Sequence, residues 1–186
     1  MVAESSLVEV DVLISVGSNI DAAANTRAGV KLLRQKYGEL QLSSVVETSA
    51  VGFDGDNFLN CVVGFRTSLP AADIAEGLKD IERICGRRRV SQKFSARTLD
   101  LDLLLYGVLT LDDQGMDVPR REIEKYPFVL APLAELMPLA KYPRAGNFFG
   151  QTYAEMWANF SRDRAGLTTV DFDWDIEDES SACDCD

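Results

Sequence analysis

The sequence predicts an α+β domain with an antiparallel sheet, its elements running in the order β-α-β-β-α-β. Three observations predict it. Residues 22–37 and 70–85 repeat apolar positions at the three-to-four spacing of an amphipathic helix. Residues 10–16, 58–67 and 99–106 are short apolar runs of strand length, and residues 40–48 also read as a strand. Turn residues, chiefly Gly with Ser, Asn and Asp, separate these segments.

Taken in order, the first strand ends in Gly17-Ser18-Asn19, a turn. The helix over residues 22–37 carries Ala28 and Leu32 on successive turns and stops at Gly38, a residue suited to a helix C-terminus. A strand over residues 40–48 leads to the loop 49–57, which contains GFDGDN, and to the next strand at 58–67. Ser68 is placed to cap the second helix, with Pro70 in its first turn. Ile74, Leu78, Ile81 and Cys85 form the face of that helix that packs on the sheet, and Gly86 ends it. Residues 87–96 are polar, basic and loop-like, and residues 99–106 form the last core strand. Beyond Gly107 come a short polar connection, a turn at Val118-Pro119, an apolar stretch at 128–136 and a short helix at 153–160. This order is the split βαβ, or ferredoxin-like, pattern with C-terminal additions, and it implies helices packed on one face of the sheet. The chain reads as one catalytic domain over residues 1–165 and an acidic, solvated, disordered tail over 166–186.

Composition narrows the function. With 186 residues, 46% hydrophobic and 26% charged, the chain can bury a sizeable core. A net charge of −11 disfavours nucleic acid and anionic membranes as partners, so an anionic ligand needs a local basic island. The absence of histidine excludes histidine acid–base chemistry, His-containing triads and His-ligated zinc. Cys61 and Cys85 read as small core residues. Cys183 and Cys185 lie in the acidic tail without the second half of a zinc site. With no disulfide framework, no signal-peptide pattern and no apolar run of membrane-spanning length, a cytoplasmic, monomeric protein is expected.

The chemistry centres on RTLDLD at 97–102. Asp100 and Asp102 are two apart in a strand, so both side chains leave the same face while Leu99, Leu101 and Leu103 enter the core. At the rise of a strand the carboxylates start about 7 Å apart. Two such anions repel unless a cation lies between them, and a pair of Mg²⁺ ions suits them. The competing reading is a solvated edge face, against which Leu104 and Tyr106 continue the same face with apolar bulk. Just upstream, Arg83, Arg87, Arg88, Arg89, Lys93 and Arg97 place six of the chain's 19 basic residues within 15 positions. A merely solubilising loop is the alternative. Together with the aspartates, these cations form a clamp for a polyphosphate, since guanidinium forks match phosphate oxygens. No GxxxxGK[ST] loop is present.

These residues resemble the 6-hydroxymethyl-7,8-dihydropterin pyrophosphokinase family of folate biosynthesis. The likeness rests on GSN at 17–19, FLN at 58–60, IERxxGRRR at 81–89, RTLDLDLLLYG at 97–107 and VPR followed by FVLAPLAEL at 118–136, and it covers about residues 10–140. The resemblance implies transfer of pyrophosphate from ATP to the pterin hydroxymethyl group with release of AMP. It implies Asp100 and Asp102 as holders of two Mg²⁺ ions, with Arg87, Arg89 and Arg97 also catalytic. It places Glu82, Lys93, Leu103 and Arg120 with those arginines at the ATP. It places Thr48, Ser49, Val51, Phe58, Asn60, Phe94 and Phe128 at the pterin, where aromatic faces stack on the flat ring and an amide reads its edge. Taken alone, Phe58 and Phe128 read equally as ordinary core.

The chain departs from the family pattern at three places. Arg120 and Arg121 follow Val118-Pro119 where the family carries His and a neighbour, Tyr126 stands in place of an arginine, and the 49–57 loop is short and lacks prolines. The rival readings are a non-catalytic paralogue that binds pterin or nucleotide, and a ferredoxin-like RNA- or protein-binding module. The five retained Asp and Arg residues argue against the first, and the acidic charge against the second.

Overall fold

Strand β1 (Val10–Ser18) divides its side chains between two buried layers. Val12, Ile14 and Val16 enter one, and Leu13 enters the other. This alternation, the ordinary consequence of a pleated strand, shows that both faces of the sheet are covered. The computed structural model describes residues 8–50, 55–86, 97–113, 115–161 and 166–176. Helix α1 (Ala22–Tyr37) follows and stops at Gly38, whose φ of 85° lets its N–H reach Arg34 O at 3.0 Å.

The strand expected at 40–48 is two pieces, β2 (Gln41–Leu42) and β3 (Val45–Thr48). They break at Ser43, whose Oγ accepts from Val62 N–H at 2.8 Å while its own N–H reaches Val62 O at 3.0 Å. Strand β4 (Phe58–Thr67), helix α2 (Ala71–Ile84) and strand β5 (Asp100–Tyr106) complete the β-α-β-β-α-β order. Ser68 does not cap α2. Pro70 occupies the position before the helix and its carbonyl accepts from Asp73 and Ile74, leaving Ser68 too far upstream.

Two short strands, β6 (Leu111–Asp113) and β7 (Met116–Val118), pair as a hairpin, followed by a 3-10 turn at Arg121–Glu124. Helix α3 (Pro127–Leu136) starts with proline in its first turn, and α4 (Tyr153–Ala158) starts with a capping box between Thr152 and Glu155. The main sheet runs β5-β1-β4-β3 with β2 also on β4, and every pairing is antiparallel.

Helices do not all lie on one face. One core layer collects Val30, Leu33, Ile74, Leu78 and Ile81 from α1 and α2. The other collects Val129, Leu130, Leu133 and Met156 from α3 and α4. The near-continuous apolar character of residues 128–136 is what makes this second layer possible.

The acidic tail also needs correction over its first part. Thr168–Val170 forms a strand, β8, that pairs antiparallel with β3, Val45 opposite Val170. Phe172 and Trp174 then pack edge to face, ring centres 4.5 Å apart, against the core. Arg27 lies 4.8 Å over the Phe172 ring and donates from Nε to Asp173 O at 2.7 Å. An acidic average hides these few side chains that gain by burial. The remainder of the tail, 177–186, with Cys183 and Cys185, lies outside the described residues. Cys61 is fully buried, which pushes its thiol up to about 12, and Cys85 is half-buried. Among the described residues no helix is long and apolar enough to cross a membrane.

Candidate functional site

The register of three strands builds the floor of the site. Asp100 and Asp102 on β5 stand opposite Gly17 and Ser15 on β1, and Gly17 in turn stands opposite Asn60 on β4. The carboxylate pair and the amide therefore share one face of the sheet, with a glycine between them. They line a cleft of about 360 Å³, a size suited to a small-molecule site.

One wall is the end of β3 and the start of β4. Asn60, a buried residue, donates from Nδ2 to Thr48 Oγ1 at 3.0 Å, and Ser49 and Phe58 complete this wall. A second part of the lining is aromatic. Tyr126 stacks on Phe128 with ring centres 5.1 Å apart and planes 19° from parallel. Tyr126 thus widens the apolar surface at the position where an arginine is usual. Its side chain, with those of Ser15 and Glu122, was not a candidate from sequence, because their places in the cleft come from tertiary packing.

Arginines meet both carboxylates. Arg97 donates from Nη1 to Asp100 Oδ2, and Arg120 Nη2 lies 2.9 Å from Asp102 Oδ1. Arg120 Nε lies 3.4 Å from Glu122 Oε2. The Asp102 carboxyl is pushed up to about 6. Burial is the main cause, then the charge of Asp100, with Glu122 and Glu82 adding and Arg120 opposing. A carboxylate so placed gains by meeting a cation.

Among the described residues no three His, Cys, Asp or Glu side chains gather into a cage for a metal. Magnesium ordinarily takes one or two carboxylates and fills its other positions with phosphate oxygens and water. Asp100 and Asp102 therefore fit an ion that arrives with a phosphate ligand better than a permanently resident one.

Gly17 and Ser18, expected in a turn, are the last residues of β1, and Ser18 with Asn19 just beyond it has a positioning role that the sequence alone does not disclose. Ser18 Oγ donates to Thr98 O at 2.6 Å, and Asn19 Oδ1 accepts from Arg97 N–H at 2.6 Å. Asn19 Nδ2 donates to Asp56 O at 3.2 Å. The end of β1 and the residue after it thus tie the approach to Asp100 to the loop beside Asn60.

Two expected nucleotide contacts are placed differently. Leu103 points into the core layer beneath α1 and α2, on the face away from the aspartates, so its side chain does not reach the cleft. Glu82 is buried on α2, and its Oε1 accepts from Leu101 N–H at 2.8 Å on the side of β5 away from β1. Tyr106 also leaves the face shared by the aspartates. Leu13 pairs with Leu105 and Ile14 with Leu103, so Leu104 is an extra residue, and this bulge reverses the alternation beyond it. Val51, Arg87, Arg89, Lys93 and Phe94 lie outside the described residues.

The family model described as 7,8-dihydro-6-hydroxymethylpterin-pyrophosphokinase (HPPK) matches residues 13–138. A Bacillus subtilis protein named 2-amino-4-hydroxy-6-hydroxymethyldihydropteridine pyrophosphokinase is 38% identical over 127 residues, 66% of this chain and 75% of that one. Its Synechocystis namesake is 38% identical over 104 residues, 56% of this chain and 53% of that protein. The mitochondrial folate synthesis bifunctional protein of Pisum sativum is 31% identical over 163 residues, 86% of this chain but 30% of its own length. In fold, the chain matches the crystal structure of wild-type Plasmodium falciparum HPPK-DHPS with STZ-DHP at a TM-score of 0.63 and 12% identity, over 82% of this chain and 42% of that one. Every cleft residue named above falls within the matched span, and the chain belongs to the 7,8-dihydro-6-hydroxymethylpterin-pyrophosphokinase family.

Proposed function

We propose that this protein transfers pyrophosphate from ATP to the hydroxymethyl group of 6-hydroxymethyl-7,8-dihydropterin, releasing AMP, as a step of folate biosynthesis. The observation that carries the proposal is the single cleft shared by the Asp100–Asp102 pair and the Asn60, Phe58 and Phe128 wall. A flat heterocycle with a polar edge suits the wall, and a polyphosphate suits the carboxylate end once cations are present.

In this reading Phe58 and Phe128 hold the pterin ring, Asn60 reads its edge, and Thr48 fixes the amide through their hydrogen bond. Ser49, Val51 and Phe94 complete the pterin site. The pterin hydroxyl oxygen bonds to the β-phosphorus, the bond from that phosphorus to the α–β bridging oxygen breaks, and AMP leaves with the electron pair. The hydroxyl proton passes to solvent. Arg97, Arg87, Arg89 and Lys93 stabilise charge on the phosphate oxygens, an effect that acts most strongly where water is excluded. Arg120 adds a further cation, while Glu82 acts on the nucleotide side through its hold on β5. Two Mg²⁺ ions held by Asp100 and Asp102 would neutralise the triphosphate and orient it in line. The same reading has the protein acting as a cytoplasmic monomer.

The test is incubation of the folded protein with ATP, Mg²⁺ and 6-hydroxymethyl-7,8-dihydropterin, with AMP as readout. Pterin-dependent AMP release is expected; its absence would remove the proposal. Asp102→Ala is expected to abolish turnover with the fold intact, and near-normal turnover in that variant would remove the metal role.

A further inference from the structure

We propose that Arg120 is an internal counter-ion for Asp102. It holds the carboxylate while no divalent cation is bound, and it exchanges that partner for a phosphate oxygen when the cation arrives. The inference rests on the reading of Asp100 and Asp102 as metal ligands.

The contacts of Arg120 are incomplete in a way that favours exchange. Its Nη2 is 2.9 Å from Asp102 Oδ1, but its Nε is buried and makes no hydrogen bond, the Glu122 carboxylate standing at 3.4 Å. A guanidinium carries five N–H donors in a fixed fork, and a phosphate oxygen matches that fork well. The base of the side chain is fixed while its head faces the cleft. Arg120 N–H donates to Leu104 O at 3.0 Å, and Arg144 Nη2 donates to the preceding carbonyl, Pro119 O, at 2.7 Å. Arg144 is itself paired with Asp117 from β7. Arg120 lines the cleft, as does Tyr126, and its side chain is 30% exposed. The backbone is therefore anchored from two sides, and side-chain rotation alone can redirect the charge.

The pairing also has an electrostatic consequence. Arg97 engages Asp100 as Arg120 engages Asp102, so two cations neutralise the two carboxylates. A divalent ion seated on Asp102 lies about 2 Å from a carboxylate oxygen. It would then sit beside the guanidinium and repel it strongly in a partly desolvated site. Unlike Arg97, which is three residues from its partner, Arg120 comes from a separate segment and can leave without disturbing β5. Binding of the bare metal is thus opposed, while binding of metal and polyphosphate together is favoured, because the displaced guanidinium finds a new anion. Arg120 makes the two ligands cooperative.

The experiment uses the full chain. Mn²⁺ binding without nucleotide is followed by electron paramagnetic resonance of the free ion. Affinity for a non-hydrolysable ATP analogue in saturating Mg²⁺ is followed by calorimetry. Arg120→Gln is expected to bind Mn²⁺ about tenfold more tightly than the wild type, and the Mg²⁺–analogue complex about threefold to tenfold more weakly. Loss of a purely structural ion pair would not move the two affinities in opposite directions. Arg120→Lys, which keeps the charge, is expected to retain weak Mn²⁺ binding. Arg120→Met, which keeps the aliphatic stem, supplies both readings if the Gln variant does not fold. Mn²⁺ binding by the neutral variants no tighter than wild type, or undetected in both, overturns the proposal, as does unchanged analogue affinity. Asp102→Asn separates the levels of the argument. If it leaves Mn²⁺ binding untouched, the metal assignment itself falls; if it weakens Mn²⁺ while the neutral Arg120 variants fail to tighten it, only the role of Arg120 falls.

Discussion

Gly17 and Asn60 stand opposite each other on β1 and β4, and a β-carbon on Gly17 would come within 3.2 Å of Asn60 Oδ1. The missing side chain is what gives the amide its place in the cleft. Gly17→Ala is expected to push the Asn60 side chain away from Thr48 and to raise the KM for the pterin about tenfold, because small misplacements of a positioning group are costly. The melting temperature should change little, since the crowded atom is at a side-chain end. Steady-state AMP release against pterin concentration checks this, and an unchanged KM would refute it.

Glu82 supports the same floor from below. Its Oε1 accepts from Leu101 N–H, the residue between the two aspartates, on the side of β5 that no strand among the described residues covers. Glu82→Ala strands that N–H and is expected to cost about 1–3 kcal/mol of stability. It should also lower kcat, since Asp100 and Asp102 flank the released residue. Glu82→Gln keeps an acceptor oxygen and should recover most of both. Urea denaturation and AMP release on the two variants decide it; equal losses in Ala and Gln would point to charge in place of the hydrogen bond.

Much of this was legible in the sequence, for physical reasons that can be named. Residues 22–37 and 58–67 match the observed helix and strand because burial imposes a clear period and glycine or polar residues end it. Asp100 and Asp102 share a face because no irregularity separates them, whereas Tyr106 does not, because the bulge at Leu104 is set by pairing with β1. Ser68 looked like a cap, but Pro70 takes that position. The contact between Arg120 and Asp102 joins residues from different elements, and no local pattern encodes it. Strand β8 was hidden for the same reason: its partner β3 lies more than a hundred residues earlier.

That strand gives a third prediction. Thr168 pairs with Glu47, the neighbour of Thr48, so β8 braces the strand end that holds Asn60. Ending the chain after Gly166 removes β8, Phe172 and Trp174 and the contact of Arg27 with Phe172. A loss of about 2–4 kcal/mol is expected from the apolar surface uncovered. The KM for the pterin should rise more than that for ATP, because β3 borders the pterin wall. Denaturation and the two KM values check both parts; an unchanged pair of KM values would confine β8 to stability.

The raised carboxyl of Asp102 makes stability depend on pH with a definite sign. Its ordinary value is 3.8, and burial first, then the charge of Asp100, pushes it up to about 6 in the fold. Between those values the folded chain holds a proton that the unfolded chain has released. The stability from this group is therefore fully present below about pH 4 and is lost as pH rises through about 6. Asparagine resembles the protonated acid and does not titrate. In the presence of a chelator, Asp102→Asn should gain on the wild type between pH 4.5 and 7.5, a difference read from urea midpoints at the two values. Adding Mg²⁺ and an ATP analogue at pH 7.5 should reverse the order, because only the wild type offers a carboxylate to the cation. A difference that stays constant with pH would mean that Asp102 does not titrate in this range.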